Sequence, residues 1–163
     1  MTEPSRAKIK VSELYQVGIV VHDLEKSMEH YQTTFGIGPW EIMNIDPSTF
    51  SDMTYHGRPV EHRFRAAFAM VGSMQLELIE PIEGDTIYSD FLKEHGEGLH
   101  HLGHHRVSNL DEAIQAFEKE GFPCLQTARS PAGAIAYVDT AKSLGFIIEL
   151  LEMPEGVPAP GRG

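Results

Sequence analysis

Residues 74–81, Met-Gln-Leu-Glu-Leu-Ile-Glu-Pro, return in altered form at residues 146–154 as Phe-Ile-Ile-Glu-Leu-Leu-Glu-Met-Pro. Both runs are short, rich in Leu and Ile, and close on a proline, as β-strands do. Superposing them lays Glu77 on Glu149. Working outward, each run ends a segment with the same order of elements. In the first half, residues 16–21 (QVGIVV) read as a strand. Asp23 then caps a helix over 24–35 that places Leu24, Met28, Tyr31 and Phe35 on one face. Gly36 and Gly38 stop it, Pro39-Trp40 opens a new extended segment, and residues 63–71 and 74–80 form two strands about Gly72-Ser73. In the second half, residues 100–107 are extended, and Asn109 and Glu112 have capping-box spacing ahead of Leu110, Ile114 and Phe117. Gly121 stops that helix, and residues 134–139 and 145–151 are extended again. Superposing the opening strands puts Gln16-Val17-Gly18 on His101-Leu102-Gly103.

The duplication predicts an α+β fold: two tandem βαβββ modules forming one curved, partly open, barrel-like mixed sheet with the site inside. The expected divisions are a flexible N-terminus (1–12), a first module (13–82), a linking helix (83–98), a second module (99–154) and a flexible tail (155–163). The linking helix is read from residues 85–95, DTIYSDFLKEH, before Gly96 and Gly98. From Gln16 to Leu24 is eight residues and from His101 to Leu110 is nine. A β-bulge near His104 and His105 would absorb the extra one.

With 163 residues the chain suits one domain of the usual roughly 100–200. Its 13 Lys and Arg against 24 Asp and Glu give a net charge of −11 with no basic cluster, which excludes a nucleic-acid partner. The single cysteine, Cys124, excludes a disulfide framework and predicts a reducing, cytoplasmic setting. No apolar run reaches the roughly 20 residues of a membrane span, and the opening MTEPSRAKIK is charged where a signal peptide would be apolar. A small-molecule substrate is the expected partner.

Four of the nine histidines fall within six residues, His100, His101, His104 and His105. The repeat selects one of them, because the equivalent positions carry Gln16, Glu77, His101 and Glu149. One imidazole, two carboxylates and an amide carbonyl suit one borderline divalent ion such as Zn, Ni, Co or Mn. Such an ion polarises a carbonyl and stabilises the enolate formed when a neighbouring C–H loses its proton. A glutamate in an apolar strand can instead face solvent, but two buried carboxylates would require a cation. If His101 faces the site, strand alternation turns His100 away and brings His105 to the same face as His101, where it is expected to meet substrate; a bulge would bring His104 to that face instead. Arg58, Arg63 and Arg65 are the local basic group. Arg65 is expected to hold a substrate anion, with pairing to neighbouring carboxylates as the alternative. Trp40 and Tyr137 suit either a pocket wall or core packing, and Tyr137 is assigned to the substrate.

These residues resemble the vicinal oxygen chelate superfamily, the glyoxalase, bleomycin resistance and methylmalonyl-CoA epimerase fold. The resemblance runs from about Leu14 to Pro154 and is carried by QVGIVVHDLEKSMEHY, LELIEP, FLKEHGEGLHH, GFIIELLE and GIGPW. FLKEHGEGLHH is most like the methylmalonyl-CoA epimerase branch. The resemblance implies that Gln16, Glu77, His101 and Glu149 occupy the four metal-ligand positions, and that Glu149 or Glu77 removes a proton beside a carbonyl. It implies an epimerase or isomerase acting on a CoA thioester, and a homodimer. Epimerases usually carry His where this chain has Gln16, whereas zinc-type glyoxalase I enzymes carry Gln. A glyoxalase-type lyase acting on a thiol adduct is therefore the alternative enzyme. A metal-free, drug-sequestering binding protein is the alternative outside enzymes. Extradiol dioxygenases share the fold but need a two-His-one-carboxylate iron site, which Gln16 and Glu77 do not provide.

Overall fold

The computed structural model describes residues 6–158; the outermost parts of the two expected flexible ends, 1–5 and 159–163, lie outside the described residues. The chain runs β1 (Gln16–Val20), α1 (Leu24–Phe35), β2 (Glu41–Ile45), β3 (Ser51–Tyr55), β4 (Arg58–Pro59), β5 (Arg63–Val71) and β6 (Met74–Glu83). It continues with α2 (Ile87–His95), β7 (Gly98–Arg106), α3 (Leu110–Lys119), β8 (Cys124–Ser130), β9 (Gly133–Val138), α4 (Ala141–Leu144) and β10 (Ile147–Glu152). No helix among the described residues is long and apolar enough to cross a membrane.

Local chemistry sets the helix ends. The Asp23 carboxylate accepts from the Lys26 N–H at 3.0 Å, and Gly36 ends α1 in the left-handed conformation at φ 68°. Thr86 and Ser89 cap α2 reciprocally, and Asn109 accepts from the Glu112 N–H at 3.0 Å. The repeat's second pair of glutamates has a capping role as well. Glu80 accepts from the Leu24 N–H at 3.2 Å and Glu152 from the Leu110 N–H at 2.5 Å, so each module places a carboxylate at the positive end of its own helix.

One mixed sheet holds the ten strands in the order β2-β5-β6-β1-β7-β10-β9-β8-β3-β4 and curls into a half-barrel. The halves meet where β1 runs antiparallel to β7. There Gln16 faces Gly103, Val17 faces Leu102 and Gly18 faces His101, so a local two-fold through Val17 and Leu102 makes Gln16 equivalent to His101. The glutamate strands flank this seam, β6 parallel to β1 and β10 parallel to β7. Helices cover the outer face. Leu24 packs on Ala67 and Leu78, while Leu110 and Phe117 pack on Ala136, Val138, Ile148 and Leu150. The concave face carries a separate core that includes Val20, Ile45, Phe64, Phe68, Ile79 and Tyr137.

Two features depart from the sequence reading. Residues 51–59 form a hairpin that belongs to the first half by sequence yet pairs with β8 of the second, with Thr54 Oγ1 2.8 Å from Thr127 Oγ1. Its polar sequence hides it, because the pairing edge is supplied from 73 residues away. Strand β7 also carries two irregularities rather than one. The first lies between Leu102 and His105, opposite Ile148 and Leu150, at the expected place. The second inserts His100 between Leu99 and His101, opposite Ile19 and Gly18.

Candidate metal centre

The concave face gathers side chains from both halves of the sheet. Gln16 comes from β1, Gln75 and Glu77 from β6, His101 and His104 from β7, Tyr137 from β9 and Glu149 from β10. His101 Nε2 lies 3.3 Å from each of Gln16 Oε1, Glu77 Oε2 and Glu149 Oε2. The ligand atoms of Glu77, His101 and Glu149 all fall within 4.8 Å of one another, and this group could hold a metal ion. All four residues are buried.

Two glycines make the space. A Cβ on Gly18 would stand 2.0 Å from His101 Cε1, and one on Gly103 would stand 2.6 Å from Glu149 Oε2 and 2.9 Å from Gln16 Oε1. Gly18 and Gly103 are themselves related by the β1–β7 two-fold, so each half leaves a gap that ligand-type side chains fill. Four further residues fix orientations. Gln16 Nε2 donates to Gln75 Oε1 at 2.8 Å, which turns the Gln16 carbonyl toward His101. Tyr88 donates to the Tyr137 hydroxyl at 2.6 Å, and Tyr137 donates to Glu149 Oε1 at 3.3 Å. His100 Nδ1 lies 3.0 Å from His101 Nδ1, and His100 is also hydrogen-bonded to the backbone of Ile87. Burial and the neighbouring His101 lower the His100 pKa to about 3, so His100 stays neutral and accepts the His101 Nδ1–H. That leaves Nε2 of His101 directed at the three oxygens.

The residues fit a divalent ion. An imidazole Nε2 carries at most one proton and cannot serve three oxygens, and Glu77 Oε2 and Glu149 Oε2 are buried without a hydrogen-bond partner. Two buried carboxylates in that state call for a positive charge among them. Ligand atoms sharing one ion at about 2.1 Å stand about 3 Å apart, close to the separations seen. In the metal-free protein the imidazole supplies the charge. Burial would lower the His101 pKa, but the pull of the Glu149 and Glu77 carboxylates outweighs burial and pushes it up to about 9. Burial raises the Glu77 carboxyl above the usual carboxylate range. It acts in the same sense on Glu149, but the neighbouring His104 and His101 prevail and hold Glu149 below that range.

Several sequence expectations need correction. His100 does not turn away from the site, because the inserted residue in β7 breaks the two-residue alternation and both His100 and His101 are buried side by side. The irregularity between Leu102 and His105 brings His104 to the cavity instead of His105. His104 Nε2 is 3.5 Å from Glu149 Oε2 and its Nδ1 is 3.2 Å from the Tyr15 hydroxyl. His105 is buried but does not line the cavity. Arg65 lies on the helix-covered face, paired with Glu25 at 2.5 Å and Glu80 at 3.6 Å, where strand alternation with the inward Phe64 puts it. Tyr137 does line the cavity, and Trp40 packs under α1.

The cavity encloses about 660 Å³, open mouth included, with Glu77, Glu149, Tyr137 and His104 grouped among apolar walls. Residues 15–138 match the family model described as glyoxalase, bleomycin resistance protein and dioxygenase superfamily. The chain belongs to this superfamily. A protein of Bacillus subtilis called YqjC is 26% identical over 149 residues, covering 90% of this chain and 95% of that one. The mitochondrial methylmalonyl-CoA epimerase of mouse is 26% identical over 112 residues, covering 68% of this chain and 54% of the mouse protein. The crystal structure of methylmalonyl-CoA epimerase from Mycobacterium tuberculosis aligns with a TM-score of 0.63 at 26% identity, covering 88% of this chain and 89% of that one. Within the superfamily fold, the residues that sequence reasoning missed are Gln75, Tyr88 and the glycine pair. The glycines alone had a signal, since Gly18 and Gly103 coincide in the repeat.

Proposed function

We propose that this chain is a divalent-metal-dependent enzyme that removes and returns a proton beside a substrate carbonyl, an epimerase or isomerase acting on a CoA thioester. The observation that carries the proposal is the pair of buried carboxylate oxygens without hydrogen-bond partners, each 3.3 Å from His101 Nε2. Gln16, Glu77, His101 and Glu149 would hold the ion. A bound divalent ion would supply Lewis-acid polarisation of the substrate carbonyl, lowering the cost of the negative charge that develops on its oxygen. Glu149 is the proposed base. Tyr137 holds its Oε1, which fixes the carboxylate plane, and the apolar walls keep bulk water from competing for the proton. The mouse and Mycobacterium relatives named above are methylmalonyl-CoA epimerases, which supports the reaction type and the thioester. A homodimer is proposed as the assembly.

Incubating the metal-loaded protein with methylmalonyl-CoA in heavy water tests the reaction. Deuterium should enter beside the thioester carbonyl, and Glu149→Gln should abolish the exchange while the circular dichroism spectrum stays unchanged. Exchange that persists in the variant contradicts the assignment of the base. One observation favours a second reading: Gln75 turns the Gln16 carbonyl inward, the side chain found in zinc-type glyoxalase I enzymes. Turnover of a hemithioacetal without exchange of methylmalonyl-CoA would select that lyase.

A further inference from the structure

Beyond its polar cluster, the cavity has walls that say what the rest of the substrate is. Met43 and Ile45 of β2, Phe64 and Phe68 of β5, Ile135 of β9 and Met153 surround the space in front of Glu77 and Glu149. Among the described residues no lysine or arginine lines it, and Arg65, the cation expected there, is engaged with Glu25 and Glu80 on the opposite face. A second charged group on a substrate would be desolvated between these walls, away from the polar cluster, with no lysine or arginine to meet it. An apolar group would gain from burial, and methionine side chains adapt to its shape. Polar groups at one end and apolar surface along the rest form the kind of site that fixes one end of a ligand and takes up its body by area.

We infer that the substrate carries its metal-binding oxygens on an uncharged apolar body, an acyl or aryl group of which the methyl of methylmalonyl-CoA is the smallest case, seated between β2, β5 and β9. The inference rests on the proposed metal site and specifies its substrate class. Any charged carrier, such as the nucleotide of a CoA thioester, then lies outside the cavity.

Binding of acetohydroxamate and hexanohydroxamate, a short and a long chelator with the same head group, tests this in Co²⁺-loaded and metal-stripped protein. Each buried methylene is worth about fourfold, so the longer probe should bind the loaded protein at least about 30-fold tighter. Met43 stands at the mouth with 37% of its surface exposed, so Met43→Asp should fold normally. It should weaken hexanohydroxamate about tenfold and leave acetohydroxamate within about twofold. Equal affinity of the two probes for the loaded protein overturns the inference and leaves the metal reading standing. Equal loss of both probes in Met43→Asp, or loss of neither, also overturns it. If stripped and loaded protein bind both probes alike, the metal reading itself fails and takes the inference with it.

Discussion

The His101 ring lies over Gly18 and is closed in by Tyr137 at 5.1 Å and His100 at 5.3 Å between ring centroids, so it has nowhere to retreat. Gly18→Ala should therefore displace the imidazole and weaken metal binding about 10- to 100-fold, as loss of a supporting contact commonly does. The far-ultraviolet spectrum should stay that of the parent, since alanine suits a strand backbone. Titration of the stripped variant with Co²⁺ reads the loss, and unchanged affinity would mean that His101 is not a ligand. The same residue sets a pH dependence. Its pKa of about 9 in the metal-free protein means that it carries a proton at neutral pH, and an ion must displace that proton to bind. Apparent affinity should rise about tenfold per pH unit from neutrality and level off above about 9. Calorimetry in two buffers of different ionisation enthalpy should show at least one proton released per ion.

At the scale of elements, the repeat was legible because short strands ending in proline advertise themselves twice, and α1 begins and ends where Asp23 and Gly36 predict. The three charged ligand-type residues were legible for the same reason: duplicated positions on inward-facing strands leave few alternatives. What escaped was set by geometry that spacing does not encode. The insertion of His100 in β7 changes which histidines face inward, and nothing in a run of four histidines marks where it falls. Arg65 reads as a cation on a strand, but its face is decided by α1, whose Glu25 it meets. The β3–β4 hairpin is polar and finds its partner strand in the other half. Helix α2 links these levels, because it carries Tyr88 into the hydrogen-bond chain that ends on Glu149. Thr86→Ala removes its buried reciprocal cap and should cost about 1 kcal/mol in urea unfolding of the metal-free protein. No loss would mean that tertiary packing alone holds the helix start.

For the whole molecule, the centre joins the two halves, so occupancy of the site and stability of the fold are linked. Glu77 and Glu149 reach the same centre from β6 and β10, strands separated by the seam, and burial of Glu77 opposes its ionisation. Glu77→Gln should leave the metal-free protein no less stable than the parent, since it removes a buried ionisable group, while abolishing the stabilisation that metal confers. A free ion at 100 times its Kd adds about 2.7 kcal/mol to a protein that binds it only when folded, which for this length raises Tm by about 5–10 °C. The most direct measurement is therefore metal content together with thermal shift on stripped protein offered Zn²⁺, Ni²⁺, Co²⁺ and Mn²⁺ in turn. The account predicts about one equivalent of at least one of these ions per chain and a rise in Tm that Glu77→Gln lacks. Less than about a tenth of an equivalent of every ion, with no shift in Tm, would contradict it.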